Sequence, residues 1–200
     1  MTSIDPGLRH VPTGFGTHRS KSSRKEQRMH AIVVYESVWG NTEAIARAVA
    51  DGLGPDVRAY PTDEVPAEEL ASADLIVAGA PVFAFGLPTE GIRDRILRDE
   101  ADAPAAPDLS HPSLRSWLDA LPLGHGCSAA FETRIWWSPR GATDSIQKRL
   151  TRLGYPPIAR AEKFVVRDKY GPLREGELDR ARAWGRELRA AADPATTLVA

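Results

Sequence analysis

Residues 31–53, AIVVYESVWGNTEAIARAVADGL, constrain the fold more than any other stretch of the chain. The run Ala31-Ile32-Val33-Val34-Tyr35 is apolar without alternation, rich in β-branched residues and closed by polar ones. That pattern predicts a strand buried on both faces, which in turn needs helices on both sides of its sheet. Ile45, Ala46, Val49, Ala50 and Leu53 then recur at helical spacing as one apolar stripe. Only the short turn Ser37-Val38-Trp39-Gly40-Asn41-Thr42 separates the two elements. A buried strand that runs through a tight turn into an amphipathic helix opens a βαβ unit.

The rest of the chain repeats this alternation. A short second strand is expected over 57–60, ended by Pro61, then a short helix over 63–71 and a buried strand over 74–80. An apolar, aromatic loop follows, Pro81-Val82-Phe83-Ala84-Phe85-Gly86-Leu87-Pro88. Thr89 is a candidate cap for a helix whose apolar side is Ile92, Ile96 and Leu97. Residues 98–111, with several Pro, Ala and Asp, read as a loose excursion or a surface insertion. Leu114, Trp117, Leu118 and Leu121 restore helical spacing, and 127–133 reads as a strand. Ile146, Leu150 and Leu153 mark a basic amphipathic helix, 159–166 a last strand, and Leu178, Ala181, Trp184 and Leu188 a closing helix. Five rounds of strand and helix imply an α/β fold: a doubly wound, five-stranded parallel sheet with right-handed crossovers. Ligands of such sheets gather at the carboxyl ends of the strands, where strand order reverses, so the loops after strands one and three are the place to look.

Composition bounds the rest. Residues 1–28 carry Arg9, Arg19, Lys21, Arg24, Lys25 and Arg28 against only Asp5 and Glu26, with no apolar periodicity. They are expected to form a disordered basic tail, residues 29–192 a single domain, and residues 193–200 a short C-terminal tail. Met29, just before the first strand, is a candidate start of translation. A formal net charge of −1 gives a nucleic-acid role no support. The single cysteine excludes an internal disulfide, no apolar stretch approaches a membrane span, and the N-terminus lacks a secretory apolar core. A cytoplasmic protein without a membrane partner is therefore expected. The five histidines show no ligand spacing, so no metal site is expected.

Two loops carry the chemistry. Ser37 and Thr42 can offer hydroxyls, and the backbone N–H groups of residues 38–42 can surround an anion at the N-terminus of the first helix. The alternative is an ordinary helix cap by Asn41 or Thr42. Phe83 and Phe85 can flank a flat ring, or else plug the core beneath their loop. Gly86 would supply a positive φ or a close backbone approach. Thr133 and Arg134 end the fourth strand near the same crevice; Arg134 can meet a phosphate, a carboxylate or a ring carbonyl, or form a surface salt bridge. Trp136 and Trp137 would shield a ring or form a contact patch, and Cys127 reads as an inert thiol.

At both loops the sequence resembles the flavodoxin family. Residues 33–42, VVYESVWGNT, resemble its phosphate-binding signature, and residues 80–88, APVFAFGLP, its second flavin loop. Residues 168–188 also resemble the C-terminal part of actinobacterial flavodoxin-domain proteins. The resemblance covers residues 29 to about 189. Val38 and Trp39 stand where the family often carries hydroxyls, and FETRIWW at 131–137 replaces its Gly-Asp-rich third loop. The resemblance implies strand order 2-1-3-4-5, with FMN at the switch point between strands one and three, as belongs to the known flavodoxin architecture. It implies an FMN phosphate on Ser37, Val38, Trp39, Gly40, Asn41 and Thr42, and a flavin ring against Pro81, Val82, Phe83, Ala84, Phe85 and Gly86, with Thr133 and Arg134 close by. The function implied is redox: an electron carrier, or a flavin-dependent reductase, working with a redox partner protein or a small quinone-like acceptor. The competing expectation is a non-catalytic binding module of the same fold that has lost flavin. A receiver domain, a small tyrosine phosphatase and a nucleotide hydrolase are discounted. The first would need an Asp where Gly79-Ala80-Pro81 stands, the second a Cys and Arg in the first loop, the third a Lys after Gly40.

Overall fold

The structure is a computed structural model, which describes residues 29–99 and 103–193. The tail expected over 1–28 and residues 194–200 lie outside the described residues. Strands β1 (Ala31–Tyr35), β2 (Arg58–Pro61), β3 (Leu75–Pro81), β4 (Cys127–Ile135) and β5 (Glu162–Val166) form one parallel sheet in the order β2-β1-β3-β4-β5. Helices α1 (Asn41–Leu53), α2 (Ala67–Ser72), α3 (Glu90–Asp99), α4 (Leu114–Ala120), α5 (Thr143–Arg152) and α6 (Glu177–Ala192) connect and flank them. No helix among the described residues is long and apolar enough to cross a membrane.

β1 is buried throughout, and its alternation divides it between two cores. Ala31, Val33 and Tyr35 face α1 and α6, together with Leu53, Ala181 and Leu188. Ile32 and Val34 face the other side, with Leu114, Leu118, Ile146 and Leu150 of α4 and α5. In the first core Phe131, Phe164 and Trp184 meet edge to face, with centroids 6.1–6.3 Å apart. The helices α1 and α6 cross at two glycines. A Cβ on Gly52 would lie 2.2 Å from the Arg182 carbonyl oxygen, and one on Gly185 2.4 Å from that of Val49. Backbone meets backbone there, and a methyl at either position would force the helices apart at about 1–3 kcal/mol. This contact fixes the axis along which α1 points its N-terminus.

Four expectations change. β4 continues to Ile135, because Arg134 and Ile135 pair with Val165 and Val166 of β5. α2 begins only after Pro66, and β5 only at Glu162. Where the sequence predicts a loose excursion, the described part, from 103 on, is strapped across the β1 turn. Asp108 N–H donates to Val38 O (2.8 Å), Trp39 Nε1 to Ala105 O (3.3 Å), and Thr62 Oγ1 to Pro112 O (2.7 Å). Thr89 does cap α3, accepting from Ile92 N–H at 3.3 Å.

Candidate functional site

The β1 turn delivers a helix N-terminus without a side-chain cap. The N-cap position of α1 is Gly40, at φ 78°, so no side chain there accepts from the first-turn amides. Asn41 and Thr42 do not serve as caps either. Asn41 Nδ2 donates to Tyr170 O (2.9 Å), and the Thr42 hydroxyl lies 2.7 Å from that of Thr133. In the threonine pair one hydroxyl donates and the other keeps its own O–H for a third partner. The capping alternative raised by the sequence is thus not what these residues do. Ser37 Oγ is buried in the same turn and has no hydrogen-bond partner, the sole such side-chain atom among the described residues. An unpaired buried hydroxyl costs free energy unless something absent from the folded chain alone completes it.

A buried ion pair holds this turn from below. Glu36 and Arg93 are both buried, with Oε1 to Nη1 at 2.5 Å. Glu36 Oε2 accepts from Leu114 N–H (2.9 Å), while Arg93 Nη2 donates to the carbonyls of Leu109 (3.1 Å) and His111. Burial pushes the Glu36 carboxyl above its ordinary value of 4.5, against the pull of the Leu114 amide and the guanidinium. α3, the strap and the start of α4 all converge on the residue that precedes Ser37.

The second loop is a two-residue hairpin. Phe83 and Gly86 exchange both backbone hydrogen bonds (3.1 and 2.9 Å), with Ala84 and Phe85 between them at φ 45° and 64°. Positive φ therefore falls on Ala84 and Phe85 and not on Gly86, which corrects the sequence expectation. Turns of this geometry favour Asn-Gly; an Ala-Phe pair there holds strain of order 1–3 kcal/mol per residue. Val82 N–H donates to Thr133 O (2.9 Å) and ties the hairpin to β4. Neither phenylalanine plugs the core. Phe83 is half-buried against Trp39, centroids 5.7 Å apart, and Phe85 is 49% exposed beside Trp137 at 6.5 Å.

Between these loops lies a cavity of about 350 Å³, in the range of small-ligand sites. Val38, Trp39, Asn41 and Thr42 line it from the first loop, and Pro81, Val82, Phe83, Ala84 and Phe85 from the second. Thr133 and Ile135 of β4, then Trp137 and Ser138 just past it, close it on one side, with Val166 at the end of β5 and Lys169 beyond. Of the residues singled out in the sequence, Ser37, Gly40, Gly86, Arg134 and Trp136 are not in its wall. Ser37 and Gly40 still belong to the turn that forms its floor. Arg134 does not face the cavity, because strand alternation turns it away from the side of Thr133 and Ile135. Its guanidinium pairs with buried Glu132 at 2.9 Å, and Glu132 also accepts from Ala142 and Thr143 N–H (2.6 and 3.0 Å) at the start of α5. The same alternation, counted on from Thr133, finds Ile135 and places Trp137, one of the two expected ring shields, on the same side. Ser138, Val166 and Lys169 had no local signal. Cys127 sits at the far end of β4, its Sγ 3.1 Å from Asp74 O and its thiol pushed up by burial, as suits an inert side chain.

This is a doubly wound α/β protein with a crevice at the point where strand order reverses. Its fold is the flavodoxin fold. A flavodoxin from the domain Archaea aligns over 82% of this chain and 99% of its own, with a TM-score of 0.57 and 21% identity. Flavodoxin 1 from Bacillus cereus aligns over 78% and 95%, with a TM-score of 0.55 and 17% identity. The rubredoxin oxygen:oxidoreductase of Desulfovibrio gigas aligns over 88% of this chain at 18% identity and a TM-score of 0.58. The chain spans only 38% of that protein's length. No protein-family model and no curated protein matches the chain.

Proposed function

We propose that this chain is an FMN-binding redox protein, acting as an electron carrier or as a flavin-dependent reductase. The observation that carries the reading is the buried Ser37 hydroxyl left without a partner beside an α1 N-terminus without a side-chain cap. A phosphate is the group that completes both: it accepts from the hydroxyl and the amides, and its charge is favoured at the positive end of the helix dipole. Ser37, the N–H groups of residues 38–42 and the spare hydroxyl proton of the Thr42–Thr133 pair would hold it. No Lys or Arg lies in the turn, so its grip would come from neutral donors.

Above the turn the cavity is walled by aromatic rings and by hairpin backbone, which suits a flat, largely apolar ring system with polar edges. Trp39 and Phe83 would flank the ring on one side, and Phe85 and Trp137 would keep water from the other. FMN bound there supplies one- or two-electron transfer, and the protein supplies binding, orientation and tuning. The partner class that goes with this reading is a redox protein or a small quinone-like acceptor.

The test is a visible spectrum of the purified chain with identification of any bound cofactor, followed by titration of FMN while its fluorescence is monitored. Flavin absorption bands, or quenching of added FMN at one equivalent, are expected. Colourless protein that leaves FMN fluorescence unchanged overturns the proposal in favour of a binding module without flavin.

A further inference from the structure

Beside the first cavity lies a second, of about 430 Å³, lined by Trp136, Val165, Val166, Arg167, Arg174 and Glu175. Val166 belongs to the wall of both. The Trp136-Trp137 pair is divided between them: Trp137 turns to the first cavity and Trp136 to the second. Consecutive residues leaving a strand point to opposite sides, so one dipeptide serves two sites.

The chain beyond β5 folds back on itself. Val166 bridges Leu173 in antiparallel fashion, Arg167 N–H donates to Pro172 O and Arg174 N–H to Val165 O, each at 2.9 Å. Directly opposed residues of an antiparallel pair share a face. Val165 and Arg174 therefore lie on the same side as Arg167 and Pro172, and the two arginines stand diagonally across one ribbon. Neither guanidinium has an ion pair or side-chain hydrogen bond with any described residue. Two like charges held on one face, neither ion-paired with any described residue, favour an anion between them, and guanidinium geometry suits phosphate. Trp136 is 71% exposed, with an indole face free for stacking. Glu175 is the discordant member of the set. A carboxylate works against a bare anion, but it is the group that accepts from the hydroxyls of a ribose.

We infer that this second cavity is a nucleotide site. The base stacks on Trp136, the phosphates lie between Arg167 and Arg174, and the ribose hydroxyls donate to Glu175. The inference extends the redox reading, since a nucleotide held against the wall of the first cavity is in place to be a soluble electron donor's handle. Its ligand does not depend on flavin.

ADP is the probe, because it carries base, ribose and phosphates and has no redox chemistry. It is titrated into the full chain by calorimetry and by tryptophan fluorescence, alone and with FMN in excess. Saturable binding that quenches tryptophan, and that FMN does not displace, is expected. Arg167→Ala with Arg174→Ala should weaken it at least tenfold, and Trp136→Ala by roughly tenfold, while Trp136→Phe retains most of the affinity. Inorganic phosphate should bind far more weakly than ADP. The inference is overturned if ADP does not bind, if FMN displaces it, if phosphate binds as tightly, or if the paired arginine variant binds normally. Binding of FMN in its own titration is read separately, so either site can fail without the other.

Discussion

On the β1 side of the crevice, charge is buried and paired; on the rim beyond β4 and β5, aromatic rings stand in solvent and two arginines face an open cavity. Glu36 and Arg93 are sealed beneath the first turn, and the polar atoms that meet them come from α3, the strap and the start of α4. Across the cavity Phe85, Trp136 and Trp137 are 49%, 71% and 56% exposed, and Arg167 and Arg174 face a second cavity. The first wall resembles the inside of a protein, where a misplaced group is costly. The second resembles an interface awaiting a partner. The difference teaches where this molecule places rigidity and where it places recognition. The turn that opens α1 is locked from below by Glu36 and Arg93, and the rim across the cavity has no such pair among the residues that line it.

The largest expected effect breaks the locked wall. Arg93→Met leaves Glu36 buried without its cation and should cost about 3–5 kcal/mol in urea unfolding at neutral pH. Glu36 has a folded-state pKa above the ordinary 4.5. Its contribution to stability is therefore fully present below the unfolded value and is lost as pH rises through the folded one. With the arginine gone, the penalty should accordingly shrink when unfolding is repeated in acid, because the stranded carboxyl takes up a proton. A penalty independent of pH would show that lost packing, and not charge, holds the turn.

Next comes the floor. Ser37→Ala should weaken FMN binding by about 1.5–3 kcal/mol, the range for a hydrogen bond to a charged group. It should leave the thermal stability of the chain alone unchanged or slightly higher, since the hydroxyl it removes has no partner. A loss of stability with unchanged FMN affinity would mean that Ser37 serves the fold and not a ligand.

The hairpin and the rim are expected to answer more weakly. Ala84→Gly removes a Cβ from a residue at φ 45° that buries almost nothing, and should raise stability by about 1 kcal/mol. A fall in melting temperature would contradict strain at this turn. Trp137→Ala should move stability by no more than about 0.5 kcal/mol, yet weaken FMN by about 1 kcal/mol through lost ring contact. An equal loss in both measurements would make Trp137 part of the core and erase the contrast between the walls.

Local signals are legible where one element carries its own period. The β1–turn–α1 unit, the even and odd faces of β1 and the stripe of α6 follow from period alone, and the switch-point loops follow from alternation of strands and helices. The loop at 83–86 is legible in the sequence, but residue preference points to the glycine for positive φ. Hydrogen bonding between Phe83 and Gly86 decided otherwise. For Arg134 the sequence leaves a crevice contact and a surface salt bridge open; strand parity decides for an ion pair, with buried Glu132. The Glu36–Arg93 pair joins residues 57 apart, and no local pattern announces it.

The sequence by itself determined the architecture and the two loops at its switch point, because hydrophobic period and turn residues act over a few positions and leave a strand buried on both faces with few ways to be covered. Tertiary structure alone decided which donors remain unpaired: that Ser37 has no partner, that Thr42 is held by Thr133, that Asn41 is held by Tyr170, and that Arg167 and Arg174 share one open face. Whether a polar group is satisfied depends on what the rest of the chain brings within about 3 Å of it, and that is a property of the packed molecule.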